Sequence, residues 1–127
     1  MPKGNDETVL VVDDEASILT ITGQTLQTFG YRVLLAQDGA KALSVYAEHK
    51  NEIAVVLTDM AMPLMDGAAM IHALRRINPK VKIIATSGFQ ENPDPLKDAA
   101  LSAKYFLTKP YPTELLLKTL REALGET

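Results

Sequence analysis

The sequence predicts an α/β domain, a parallel sheet with helices on both faces. Three observations carry that expectation. Short β-branched runs alternate with longer stretches of helical period, the central runs are apolar almost throughout, and 127 residues suit one core rather than two. Neighbouring parallel strands need a crossover, and right-handed crossovers lay the connecting helices against the faces of the sheet.

The chain begins with "MPKGNDE", residues 1–7, a polar stretch carrying Pro and Gly and expected as a flexible lead-in. The domain is expected over residues 8–124, with 125–127 as a tail. "TVLVV" reads as the first strand, followed by a helix whose apolar positions recur at Ile18, Thr22, Leu26 and Phe29. "YRVLLA" is the second strand, and Asp38-Gly39 marks the start of the second helix. "IAVVLT" is the third strand. Asp66-Gly67 can cap the third helix, because an Asx side chain satisfies free N–H groups of a first turn. Met70, Leu74 and Ile77 give that helix its apolar stripe, and Asn78-Pro79 stops it. "VKIIAT" is the fourth strand. The two prolines of "NPDPLKDAALSA" suit a first helical turn but not an interior, so the fourth helix is expected to be short or shifted. "KYFLT" is the fifth strand, and Leu116, Leu120 and Leu124 mark the fifth helix.

Composition excludes several classes of function. A net charge of -3 and a pI near 5.3, with no basic stripe, argue against direct nucleic-acid binding. The absence of cysteine removes disulfides and thiolate chemistry and fits a reducing compartment, the cytosol by default. No apolar run approaches the roughly 18 residues that span a bilayer, and "MPKGNDE" lacks the apolar centre of a signal peptide, so no direct membrane contact is expected. No GxGxxG or Walker-type loop supports nucleotide binding.

The polar residues at the strand ends are more informative. In an open parallel sheet, ligands gather beyond the carboxyl ends of the strands. Strand one ends in Asp13 and Asp14, strand three delivers Asp59, strand four Thr86 and Ser87, and strand five Thr108-Lys109-Pro110. Any one of these acids could simply cap the next helix; the set together asks for another explanation. Clustered carboxylates repel one another and call for a cation, and Mg²⁺ suits all-oxygen ligands with few carboxylates. Mg²⁺ and the Lys109 ammonium would bring the pocket near neutrality, and a carboxylate held there is a competent nucleophile toward phosphorus. Asp59 is the expected acceptor.

In order and spacing, "LVVDDE", "LTDMAMPLMDG", "IIATSG" and "FLTKP" resemble the signature of the response-regulator receiver domain of two-component signalling, from Thr8 to about Leu124. The resemblance implies a flavodoxin-like doubly wound sheet of five strands in order 2-1-3-4-5 with five helices. It implies Asp59 as phosphoacceptor, with Asp13, Asp14, Asp59 and the main-chain carbonyl of Ala61 holding Mg²⁺. Lys109 would contact the phosphoryl group, and the Lys109–Pro110 bond would be cis. Ser87 rather than Thr86 is the expected hydroxyl partner, because "SGF" fills the family's Thr/Ser-small position and Lys109 lies 22 residues further on. As in receivers generally, Phe106 would turn inward as Ser87 moves, altering the face of the fourth helix, fifth strand and fifth helix. Phe106 as plain core is equally compatible.

The donor implied is a histidine kinase or a histidine phosphotransfer domain, with no turnover enzyme activity beyond self-catalysed phosphoryl transfer and autodephosphorylation. The output face could also serve a homodimer. Ser102 replaces the family's common Gly at the end of the fourth helix. Ala61 and Phe89 occupy the family's rate-tuning positions, and the apolar Phe89 is expected to hinder the attacking water, so Phe89→Glu should speed dephosphorylation. His49 and His72 have no metal-ligand spacing. Met60, Met62 and Met65 suit core filling, and Lys97, Lys104 and Lys118 a solvated face. Two rivals are an Mg²⁺-dependent aspartyl-phosphate phosphatase of haloacid-dehalogenase type, whose DxDx(T/V) pattern "DDEAS" does not match, and a non-phosphorylated interaction module on the same fold. "GNDETVLVVDDE" and "INPKVKIIATSGF" look similar to receivers attached to hybrid sensor histidine kinases, so the domain is expected as a stand-alone receiver or part of such a protein.

Overall fold

The computed structural model describes residues 3–60, 67–88 and 105–125. Five parallel strands, β1 (Thr8–Val12), β2 (Arg32–Ala36), β3 (Ile53–Asp59), β4 (Ile83–Gly88) and β5 (Tyr105–Lys109), form one sheet in the order β2-β1-β3-β4-β5. The described helices are α1 (Ala16–Thr28), α2 (Gly39–Glu48), α3 (Gly67–Ile77) and a last helix, Thr113–Leu124. The expected fourth helix in "NPDPLKDAALSA" lies outside the described residues, as does Asp66, the expected cap of α3.

Strand alternation divides the apolar side chains between two clusters. Leu10, Val12, Val56 and Ala85 pack with Met70, Ile71 and Leu74 of α3 on one face; Val9, Val11, Val55 and Leu57 pack with Leu26, Leu117 and Leu120 on the other. Burying a side chain of this size contributes about 1.5–3 kcal/mol. The interior strand β1 is therefore apolar at every position after Thr8, as a strand covered on both faces must be.

The local signals act as their chemistry requires. Asp38 caps α2, its Oδ1 accepting from the Lys41 amide at 2.7 Å. Asn78 ends α3: its amide donates to Leu74 O, and its Oδ1 accepts from the Lys80 amide at 3.0 Å. Its Nδ2 also donates to the Tyr46 hydroxyl at 3.0 Å, tying α2 to the end of α3.

Three expectations need correction. The fourth strand runs over Ile83–Gly88 rather than 81–86, because Val81 closes a turn onto Asn78 O while Ser87 and Gly88 pair with Thr108 and Lys109. The stripe of α1 differs in its first half: Leu19 and Gly23 are buried where Ile18 and Thr22 were expected, while Leu26 is buried as expected and Phe29 packs partly buried against the core. The lead-in is also tied to the fold. Gly4 N donates to Phe29 O at 2.7 Å and Asp6 N to Gly30 O at 2.8 Å, while Glu7 O accepts from the Arg32 amide at 3.0 Å. Glycine is required where these segments cross: Gly30 has φ 93, and a Cβ on it would lie 2.6 Å from Gly4 O.

Candidate functional site

The parallel topology brings the carboxyl ends of the neighbouring strands β1 and β3 side by side, with the acids there, and puts the end of β5 at the same edge beyond β4. Asp13, directly after β1, is 3% exposed, and Asp59, the last residue of β3, is 6% exposed. Asp14 stands exposed at the rim. One carboxylate oxygen from each lies within 4.8 Å of the others. Lys109 closes the pocket from β5, its Nζ 2.9 Å from Asp13 Oδ2 and 3.3 Å from Asp59 Oδ2. The other oxygen of Asp13 accepts from the Glu15 amide at 2.9 Å, which fixes the carboxylate as the chain turns into α1.

Burial works against the Lys109 ammonium, but the Asp13 hydrogen bond and the charges of Asp59 and Asp13 outweigh it, and its pKa lies above the ordinary lysine value. One ammonium against three carboxylates leaves two formal negative charges among these four side chains. Three oxygen donors this close, with that residual charge, fit a hard divalent cation such as Mg²⁺.

The remaining expected residues fall as follows. Ser87 is 1% exposed near the end of β4, paired with Thr108; Phe106 is half-buried two registers back, paired with Ala85. By strand alternation Ser87 and Phe106 share a face of the sheet. Thr86 is buried too, but its hydroxyl donates to Thr58 O at 3.4 Å within the sheet. The Lys109–Pro110 peptide is cis. Met60 is buried in the core. Ala61, Met62, Met65, Phe89, Lys97, Ser102 and Lys104 lie outside the described residues. His49, at the end of α2, sits 3.5 Å from Glu52, and His72 is exposed on α3; neither belongs to the pocket.

Two features beside the pocket, a groove and the phenol of Tyr111, are not among those expected from the sequence. A groove of about 260 Å³ lies between α1 and the last helix, with Ile18, Ile21, Thr22, Thr25, Lys109 and Tyr111 among its lining residues. Burial raises the pKa of the Tyr111 phenol; the Lys109 charge opposes this and the Asp13 and Asp59 charges add to it. The 13 residues of α1 hold no charged side chain, and Ile21 is 61% exposed. An uncharged helix with an exposed Ile was the signal available.

The profile of the response regulator receiver domain matches residues 9–121, so the chain belongs to that family. It is 36% identical over 118 residues to the sensor kinase CckA of Brucella abortus, covering 92% of this chain and 12% of that protein. The chain spans less than half the length of each curated relative at the head of the comparison. Among solved structures, a response regulator receiver domain protein from Clostridium thermocellum superposes with a TM-score of 0.86 at 29% identity, covering 93% of this chain and 94% of that one. The CheX–CheY–BeF3–Mg²⁺ complex from Borrelia burgdorferi gives 0.85 at 26% identity, covering 94% and 90%.

Proposed function

We propose that this receiver accepts a phosphoryl group from a phosphohistidine onto Asp59 and signals by a change in the surface around β5 and the last helix. The observation that carries the reading is the convergence of Asp13, Asp14 and Asp59 within 4.8 Å, with Lys109 bonded to two of them. An oxygen of Asp59 attacks phosphorus as the bond to the donor nitrogen breaks; the donor ring, protonated on its other nitrogen, leaves as a neutral imidazole, and Asp59 becomes an acyl phosphate. The Lys109 ammonium already faces the Asp59 carboxylate, so it stands where the phosphoryl oxygens gain charge and needs little reorganisation. Asp13 holds that ammonium in place, and Asp13, Asp14 and Asp59 would hold Mg²⁺ with the Ala61 carbonyl. When bound, Mg²⁺ supplies charge neutralisation at the transferring oxygens.

The acyl phosphate carries additional negative charge and acceptor oxygens, which draw a hydroxyl inward. Ser87 is the hydroxyl assigned this part, and Phe106, on the same face, fills the space it leaves. The largely apolar groove that Lys109 helps to line is where a helix bearing the donor histidine would lie, because it sets an apolar partner surface beside the acceptor. The likeness to a sensor kinase over this domain supports placement in a phosphorelay with a histidine kinase or histidine phosphotransfer partner, in the cytoplasm.

Acetyl phosphate with Mg²⁺ tests the reading by intact-protein mass spectrometry. One phosphoryl adduct per chain is expected, lost in Asp59→Asn and after chelation of the metal. Sustained turnover of acetyl phosphate would indicate a phosphatase instead, and an adduct that survives Asp59→Asn would remove the acceptor assigned here.

A further inference from the structure

The amino edge of the sheet carries a device that the acidic pocket does not use. The strap Gly4–Glu7 crosses the turn between α1 and β2 with three backbone hydrogen bonds, and Asp6 takes the left-handed backbone at φ 65 to follow that path. The ring of Tyr31 lies over Gly4 so closely that a Cβ there would stand 2.7 Å from it. Glu7 then reaches the last turn of the last helix, its Oε2 accepting from Arg121 Nη1 at 2.6 Å. Both side chains are partly buried, at 23% and 35% exposed.

The same helical turn is gripped from two other elements. Tyr105, at the start of β5, donates its hydroxyl to Glu122 O at 3.4 Å, and Lys82, just before β4, donates Nζ to Leu124 O at 3.4 Å. These carbonyls are among the last four of the helix, which have no partner within it. The far end of the helix is therefore anchored, while its first turn begins three residues after Pro110, beside the pocket.

We propose that the strap Gly4–Glu7 is a clamp on the last helix: the Glu7–Arg121 pair holds strap and last turn as one unit, so that releasing either loosens the other. The geometry leaves no slack between them. Glu7 directly precedes β1, so its position is set by the sheet, and Arg121 sits on a turn already held by Tyr105 and Lys82. Any tilt of the helix must pivot about this turn or break the pair, and pulling residues 4–7 away removes one of the three anchors. The clamp works whether or not Asp59 accepts a phosphoryl group.

Amide hydrogen exchange on the whole chain tests the coupling, comparing wild type, Glu7→Gln, Arg121→Gln and the double variant. Each single change is expected to speed exchange at the Gly4 and Asp6 amides and at the Gly125 amide, which donates to Arg121 O, by about fivefold. The double variant should exchange no faster than either single one, since both remove one shared contact. Amides of β3 should stay unchanged and report an intact fold. Faster exchange confined to the strap, multiplying effects in the double variant, or no change in either single variant would overturn the clamp. Sodium chloride added to the wild-type chain gives the comparison without mutation: strap and last-turn amides are expected to speed up together, and an effect on one alone counts against it.

Discussion

At the carboxyl edge of the sheet, three carboxylates stand within 4.8 Å and a single ammonium serves two of them; at the amino edge, Glu7 and Arg121 meet one to one. Among the described side chains, the same backbone thus carries one end with surplus like charge and one end where charges are matched. Surplus negative charge held in place by buried strands is energy that a bound cation can relieve. A matched pair instead holds an element where it is. A functional site departs from local stability in this way while the rest of the fold compensates.

The largest expected effect lies at the carboxyl edge. Asp14→Asn removes one of the three negative charges, leaving a weaker neutral oxygen in its place, without disturbing Lys109, whose partners include Asp13 and Asp59. Affinity for Mg²⁺ is expected to fall by no less than about tenfold, the low end of what even outer-sphere partners contribute. Isothermal titration calorimetry gives the value, and wild-type affinity in the variant would place the cation somewhere other than this pocket.

The two edges also differ in how far they were legible. Asp13, Asp14, Asp59 and Lys109 could be read from the sequence because each follows or closes a strand, and parallel topology gathers strand ends at one edge. The cap at Asp38 followed from a similar local signal, whereas the order of the strands came only from the family resemblance of the four motifs. The buried stripe of α1 was less accessible: Gly23 adds no apolar side chain to count, yet its missing Cβ lets Leu35 approach to where a Cβ would be 3.3 Å away. The end of β4 was hidden because Ser87 and Gly88 have weak strand preference and are drawn in by pairing with β5. The clamp left no trace at all. Glu7 and Arg121 are 114 positions apart, each an ordinary surface residue until the fold brings them together.

A second expectation concerns the amino edge and its pH dependence. Burial of Glu7 raises its pKa, but the Asn5 amide and Arg121 more than reverse this, leaving it below the ordinary glutamate value. A carboxyl with a depressed folded-state pKa adds stability above its unfolded pKa and loses it as pH falls through the folded one. Glu7→Gln is therefore expected to cost about 1 kcal/mol at pH 7, the upper range for a partly exposed pair. In denaturant titrations the gap between wild type and variant should hold down to the ordinary glutamate range and close below it. A gap that widens in acid would mean that the pair does not supply the stability.

The smallest effect has the opposite sign and tests the contrast most directly. In the absence of divalent cations, Asp14→Asn relieves repulsion at the pocket instead of breaking a pair. Because Asp14 is exposed, water and salt screen most of that repulsion, and the expected gain is only about 0.5 kcal/mol. Denaturant unfolding in chelator measures it, and added Mg²⁺ should reverse the order by stabilising wild type more than the variant through binding to the folded state. Removing a charge would then stabilise one edge and destabilise the other. If Asp14→Asn lowers stability in chelator as Glu7→Gln does at pH 7, the three carboxylates are not in net repulsion, and the pocket holds no energy for a cation to relieve.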